Sequence, residues 1–173
     1  MNLQIRKATE ADAAQLPAIE RSAAELFRHD PELAWLADAE VTDAAQHRAH
    51  IRQQRVWVAL LDRRVCAFLD AEACDDALHI WEISVDAAAQ GRGIGRRLLE
   101  TVREQARRQG FTALTLSTFR QLPWNEPFYQ RCGFLTLEAN QLNPRLQQVL
   151  AEETQHGLPA ARRCAMHLDL NNL

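Results

Sequence analysis

The densest chemical signal in the chain is Gln90-Gly91-Arg92-Gly93-Ile94-Gly95-Arg96-Arg97, set between a strand-like segment and the most regular helical pattern. Glycines at alternate positions remove the Cβ atoms that would keep an anion away from the backbone. Amides at a helix start point their N–H groups at the same spot, and the helix dipole adds to the attraction. Arg92, Arg96 and Arg97 supply positive charge around it. A phosphate or pyrophosphate group suits such a place; a plain glycine turn with solvated arginines is the alternative. Two better-known phosphate motifs do not fit. A dinucleotide fingerprint needs GxGxxG near the start of a βαβ unit, and a nucleotide-hydrolase loop needs GxxxxGK followed by Ser or Thr.

The segment just before the glycines, residues 78–85, carries two titratable side chains among apolar ones, His79 and Glu82. Three residues apart on a regular strand, they face opposite ways. Either can accept a proton through a water molecule. Among the other histidines, His47 and His50 share a face of an expected helix, but two imidazoles make an incomplete metal site, and no metal is expected. Four cysteines, Cys66, Cys74, Cys132 and Cys164, show neither a CxxC pair nor ligand spacing, and read as reduced packing residues. Ser22 and Ser117 lack the surroundings of a nucleophile elbow.

Positioning these groups requires a strand, a turn and a helix, and the rest of the pattern supplies neighbours for them. Leu3 and Ile5 alternate with polar residues as in a half-buried strand. Thr9 and Asp12 resemble a capping pair, and Leu16, Ile19, Ala23 and Leu26 recur at helical spacing, with a kink or restart expected at Pro17. Helical pattern is lost over residues 29–43 and returns over 43–53. Residues 56–61 and 65–69 read as buried strands about a tight turn, residues 71–77 as a mostly polar connection, and 78–85 as a further strand. Ile94, Leu98, Val102 and Ala106 mark the clearest helix, stopped by Gly110. Beyond it come a strand at Leu114 and Leu116, a short helix over 125–132, a strand over 134–137, a helix over 144–153 and a last strand over 164–170. The order β-α-α-β-β-β-α-β-α-β-α-β points to an α/β (α+β) fold with a mixed central sheet of six to seven strands flanked by helices.

Length and charge narrow the function classes. At 173 residues the chain suits a single domain over 1–173. Twenty basic and 23 acidic residues give a net charge of −3, no whole-chain footprint for nucleic acid. Lys7 is the only lysine, so arginine supplies the other positive charges. No apolar run is long enough for a membrane span, and the start lacks the apolar core of a signal peptide, so the expectation is a cytoplasmic protein with no membrane partner.

The run from Ile83 to Gly95 resembles the acetyl-CoA motif of the GCN5-related N-acetyltransferase (GNAT) superfamily, Gln/Arg-x-x-Gly-x-Gly/Ala, here Gln90, Gly93 and Gly95. Trp124-Asn125-Glu126-Pro127-Phe128-Tyr129-Gln130-Arg131-Cys132-Gly133-Phe134 is similar to the family's late helix and closing strand, which ends in Tyr, three residues, then Gly-Phe. The resemblance implies the GNAT acyltransferase fold with a splayed central strand pair. It implies acetyl-CoA as cosubstrate, its pyrophosphate on the loop formed by Gln90, Gly91, Arg92, Gly93, Ile94, Gly95 and Arg96, and its pantetheine arm against Ile83, Ser84 and Val85. By the same resemblance Tyr129 protonates the departing thiolate and Asn125 lies near the pantetheine arm. Many members carry an Asn seven residues before the tyrosine; Leu122 stands there instead.

Acetyl transfer to an amine needs a positioned thioester, a neutral amine, a donor for the carbonyl oxygen and a proton for the thiolate. A backbone N–H of Ile83 or Val85 would serve the oxygen. Glu82 is favoured over His79 as base, because several related acetyltransferases carry an acid just before this Ile-x-Val triplet. In the superfamily the acceptor is chosen by regions matching residues 29–43, 71–76, 118–124 and 140–161 here. The first is rich in acids and holds Trp35, and the second holds Glu72, Asp75 and Asp76. Such a rim would gather a cationic amine; solvated loop charges are the alternative. A small-molecule amine is therefore the leading expectation, ahead of a protein N-terminus or lysine, and ahead of a CoA-binding module without activity. The helix over 144–153 would cover the acceptor cleft or serve a partner subunit, and a homodimer is among the arrangements the resemblance allows.

Overall fold

A computed structural model of the protein describes residues 2–172. Its elements follow the order read from the pattern: β1 (Leu3–Lys7), α1 (Leu16–Ala24), α2 (Ala44–Arg52), β2 (Val56–Leu61), β3 (Arg64–Cys74), β4 (Ala77–Val85), α3 (Ile94–Arg108), β5 (Ala113–Phe119), α4 (Glu126–Arg131), β6 (Leu135–Thr136), α5 (Pro144–Gln155) and β7 (Arg163–Asp169). The strands hydrogen-bond in the order β1-β2-β3-β4-β5-β7-β6, one mixed sheet of seven. The chain clusters into two compact units, residues 2–71 with 82–102 and residues 72–81 with 103–172.

In the first unit β1, β2 and β3 form antiparallel ladders, with Ile5 opposite Ala59 and Val58 opposite Phe68. Asp62 and Arg63 make the two-residue hairpin between β2 and β3, both with positive φ, the geometry that matches strand twist. Val56, Val58, Leu60 and Phe68 pack with Ala13, Leu16 and Ile19 and with Ile51 of α2. Trp57 and Ala59, on the other face of β2, are buried too, which is why the strand is apolar throughout. Asp12 accepts the Thr9 amide at 2.7 Å and the Arg6 guanidinium at 2.7 Å, closing a 3-10 turn over Glu10–Gln15. Pro17 then stands in the first turn of α1, where its missing N–H costs nothing. Lys7 lays its ammonium 3.4 Å above the Trp57 ring and donates to the Gln54 carbonyl. Burial lowers its pKa to about 8.

Two segments differ from the sequence pattern. Residues 71–74, read as polar connection, continue β3, and the turn is only Asp75 and Asp76. Ladder pairing and the buried Asp70 and Ala71 outweigh the poor strand propensity of the acids. Residues 29–43 are ordered by a 3-10 turn at Ala34–Asp38 that buries Ala37, next to the buried Leu33.

The second unit is built on β5. Ala77–Ile80 of β4 run parallel to it, Ala77 opposite Ala113 and Ile80 opposite Leu116. β7 runs antiparallel to β5 from Ala113↔Asp169 to Phe119↔Arg163, and β6 adds a short antiparallel edge. The β4–β5 register stops at Ile80↔Leu116, although β4 continues to Val85 and β5 to Phe119. That is the departure expected of a splayed pair.

α3 carries its apolar stripe as the pattern required: Ile94, Leu98, Val102 and Ala106 are all buried, and arginines take the other faces. Leu98→Ala should lower stability by about 2–5 kcal/mol, the usual range for a fully buried leucine. Glu100→Ala on the exposed face should change it by less than about 0.5 kcal/mol. Urea unfolding monitored by circular dichroism checks both; a small loss at Leu98 would mean that α3 does not anchor the fold.

Candidate functional site

The glycine loop sits where β4 ends and α3 begins, within the first unit. Gly91 and Gly93 have φ of 75° and 73°, in the left-handed region where a side chain is strained. A Cβ built on either meets nothing within 4 Å, so the space above both glycines is open. Arg97 donates to the Gly93 carbonyl at 3.1 Å, the first turn of α3, which leaves the amides of Ile94, Gly95 and Arg96 without helical acceptors. Open space, left-handed glycines and first-turn amides together are an arrangement able to receive an anionic group. Arg96 is turned along the helix to Glu100 at 3.0 Å.

Several side chains fix this loop. Gln90 donates its amide to the Val85 carbonyl at 2.9 Å, folding the loop back on the strand. Asp86 donates its backbone amide to Cys66 of β3 at 2.8 Å, and its carboxylate accepts from the Ala88 amide. Ser22 of α1 accepts from the Ala87 amide at 2.9 Å. Ser22 and Asp86 are thus working parts that the motif alone did not reveal, since their signal is contact across 64 residues. Glu82 accepts the Ser84 hydroxyl at 2.7 Å, two residues on and on the same face of β4, while Ser84 itself is buried. The Glu82 carboxylate is half-buried and held in one orientation.

The acidic segment 29–43 is largely engaged with its own chain. Arg28 forks onto Asp38 and onto Glu25, both at 2.7 Å. Asp43 caps α2 by accepting the Gln46 amide. Asp38 therefore contributes far less free negative charge than a count of acids suggests.

In the second unit Tyr129 is buried on α4, its ring edge-on to Phe128 and Phe134 at 5.1 and 5.7 Å. Asn125 precedes α4 and accepts the Thr118 hydroxyl at 2.9 Å, pinning the helix to the end of β5. Cys164, beneath α4, has its thiol pushed up to about 12 by burial and then by Glu126, so it holds its proton at any ordinary pH. The other three cysteines are also free thiols.

His79 lies on the opposite side of β4 from Leu78 and Ile80, fully buried, with Trp81 edge-on at 4.4 Å. Arg145 of α5 donates to its Nδ1 at 3.1 Å and to Thr115 Oγ1 at 3.0 Å. Nδ1 also lies 2.8 Å from Thr115 Oγ1, and Nε2 is buried with no hydrogen-bond partner among the described residues. Burial, and then the Arg145 charge, push this imidazole down to about 4. It is neutral at pH 7 and a poor base for an ammonium ion. One turn of sheet further on, Ser117 donates to Glu153 of α5 at 2.9 Å, and Arg163 of β7 donates to both. The sequence gives no motif for Arg145, Thr115, Glu153 or Arg163; their role appears only once α5 is laid against β5 and β7.

A family model described as "Acetyltransferase (GNAT) family" matches residues 18–134. Glucosamine 6-phosphate N-acetyltransferase 1 from Oryza sativa subsp. japonica is 30% identical over 104 residues, 60% of this chain and 58% of that protein. The chain thus spans little more than half the length of that curated relative. Among solved structures, the PaiA N-acetyltransferase of Thermoplasma acidophilum in complex with coenzyme A has a TM-score of 0.74 at 14% identity, covering 98% of this chain and 99% of that one. A ribosomal-protein-alanine N-acetyltransferase from Brucella melitensis has 0.69 at 20%, covering 96% and 99%.

The depressed His79 pKa has a stability signature. An unfolded imidazole takes its proton near 6.5, whereas the folded one resists until about 4, so between these values the unfolded chain binds more protons. Stability from this group is complete above pH 6.5 and declines as pH falls towards 4, by roughly 3 kcal/mol at about 1.4 kcal/mol per pH unit. His79→Gln should flatten this part of the profile. Urea unfolding at pH 7.5 and pH 4.5 measures it; an equally steep loss in the variant would assign the acid sensitivity elsewhere.

Proposed function

The chain belongs to the acetyltransferase (GNAT) family, and we propose that it is an N-acetyltransferase moving the acetyl group of acetyl-CoA to the primary amine of a small molecule. The observation that carries this reading is the pair of left-handed glycines with open space above them at the β4–α3 junction. Gly91, Gly93 and the amides of Ile94 to Arg96 would hold the pyrophosphate, with Gln90 keeping the loop in place. Ile83, Ser84 and Val85 would offer backbone to the pantetheine arm, a role supported by the end of the β4–β5 register at Ile80. Asn125 would border the same arm.

When bound, acetyl-CoA supplies the activated thioester carbonyl; everything else is done by this chain. Glu82 takes the proton from the acceptor's ammonium, directly or through water, because only the neutral amine attacks. A backbone N–H of Ile83 or Val85 donates to the carbonyl oxygen as negative charge gathers there. Tyr129 would hand its phenolic proton to the departing thiolate and regain one, through water, from the nitrogen as the amide forms. Glu82 is preferred to His79 as base because the buried imidazole, beside Arg145, is held neutral with its pKa lowered to about 4. Attack is direct in this reading, and the buried Cys164 thiol, pushed up to about 12, is unsuited to carry an acyl group. The small-molecule acceptor is supported by the name of the rice relative, whose stated substrate is an amino sugar phosphate.

The decisive experiment is thiol release from acetyl-CoA in a screen of polyamines, amino acids, amino sugars and short peptides. Turnover of peptides alone would replace the small-molecule reading with a protein acetyltransferase, and CoA binding with no turnover at all would leave a binding module. Gly93→Val should weaken CoA binding at least tenfold by calorimetry while costing only about 1–2 kcal/mol of stability, the penalty for a left-handed L-residue. An unchanged affinity would remove the loop from the cofactor site. Glu82→Gln should lower kcat/KM tenfold or more and flatten the acidic limb of its pH profile, and Tyr129→Phe should lower kcat with CoA affinity nearly intact. A wild-type pH profile in the first variant, or wild-type kcat in the second, would withdraw that residue's role.

A further inference from the structure

Strand alternation puts Glu82 and Ser84 of β4 on one face and Ile83 and Val85 on the other, all four within the first unit. Glu82 is half-buried, whereas Ser84 keeps only 3% of its surface exposed. A hydroxyl that deep needs an acceptor, and the Ser84 Oγ–H donates to Glu82 Oε1 at 2.7 Å. The bond is short, as hydroxyl bonds to a carboxylate are. It acts on the carboxylate in two ways. Glutamate brings several rotatable bonds, and this contact selects one arrangement of them before any acceptor arrives. Withdrawal from water favours the protonated acid, which cannot serve as a base, while a donor aimed at the oxygen favours the charged form. Only the Ser84 side chain is committed in this way, so its main chain stays available to the pantetheine arm.

We infer that the Ser84 side chain is a positioning residue for acetyl transfer, holding Glu82 as an oriented, ionised carboxylate ready to take the acceptor's proton. The inference rests on the acetyl-transfer reading with Glu82 as base and deepens it, since the base becomes a unit of two residues with Ser84 acting through Glu82. The proton step balances with no further reactant. An ammonium N–H bond breaks, the carboxylate gains the proton, and the Ser84 hydroxyl keeps its own throughout. Ser84 also sits on the strand whose Ile83 or Val85 amide would donate to the carbonyl oxygen. Base, base holder and oxyanion donor thus share one rigid element, which keeps their spacing constant.

Two readouts on the full chain test it, the first without turnover. In protein labelled with ¹³C-glutamate, the Glu82 carboxyl resonance is the one lost in Glu82→Gln. In Ser84→Ala it should titrate about one pH unit higher than in wild type, the size of a lost hydrogen bond to a charged acceptor. Ser84→Thr, which keeps the hydroxyl, should restore most of the wild-type midpoint. The second readout is kinetic, with the fastest amine of the acceptor screen. Ser84→Ala should move the acidic limb of kcat/KM to higher pH by the same amount, lowering the rate on that limb about tenfold. CoA affinity by calorimetry should stay nearly intact. In a Glu82→Gln background the serine substitution should cost nothing further in kcat/KM, because no carboxylate is left to hold. An unmoved carboxyl midpoint, or a serine effect that persists in full without Glu82, would overturn the inference and leave acetyl transfer standing. An acidic limb that survives Glu82→Gln instead withdraws Glu82 as base, and the role of Ser84 with it. If Ser84→Ala does not fold, Ser84→Cys, with a weaker donor in a similar volume, takes the same measurements.

Discussion

Ala77–Ile80 and Ala113–Leu116 lie side by side and run the same way, and a parallel pair cannot be closed by a hairpin. The chain must leave β4 at its carboxyl end, travel back along the sheet and enter β5 from the starting side. α3 is that return path, and its fifteen residues from Ile94 to Arg108 give it the length. The constraint forces a helix to start just beyond β4, and a helix start presents unpaired amides whatever the sequence. Glycines at 91 and 93 turn left-handed there and leave the approach to those amides open. Ser22, Asp86 and Gln90 hold the turn with their hydrogen bonds.

Most of this frame was legible because the apolar periods are strong. The stripe on α3, the unbroken run of β2 and the twelve-element order all follow from patterns that burial dictates. The glycine run was legible for a different reason: no other residue type holds that backbone shape without strain, so the type itself reports the conformation. Pattern failed where ladder pairing overrides composition, as in the acidic end of β3. It failed again where one polar residue meets another from far along the chain. Arg145 and His79 are 66 residues apart, and an arginine after a proline looks like any helix start. Acid counts over 29–43 likewise do not show that Asp38 is matched by an arginine ten residues away.

β5 shows how one strand can serve two chemistries. Leu114 and Leu116 face one way and are buried, while Thr115 and Ser117 face the other and meet Arg145, Glu153 and Arg163 of α5 and β7. Alternation along a strand keeps these populations apart at no cost in length. The polar side is the expensive one, because each donor or acceptor withdrawn from water has to be matched inside. α5 brings the charged ends needed for that matching, Arg145 in its first turn and Glu153 in its last. It is joined to the sheet as much by this polar seam as by Leu146 and Val149.

Lys7, laid over the Trp57 ring and bonded to Gln54, is the one lysine in a chain whose remaining basic side chains are guanidinium. Guanidinium keeps its proton at every physiological pH and offers no free amine lone pair. The ion pairs drawn above, from Arg28–Asp38 to Arg96–Glu100, therefore cannot be erased by acylation of their basic partner. A protein of this composition can live in a pool of reactive thioesters with its surface charge intact. Its one ε-amino group lies against an indole and a carbonyl.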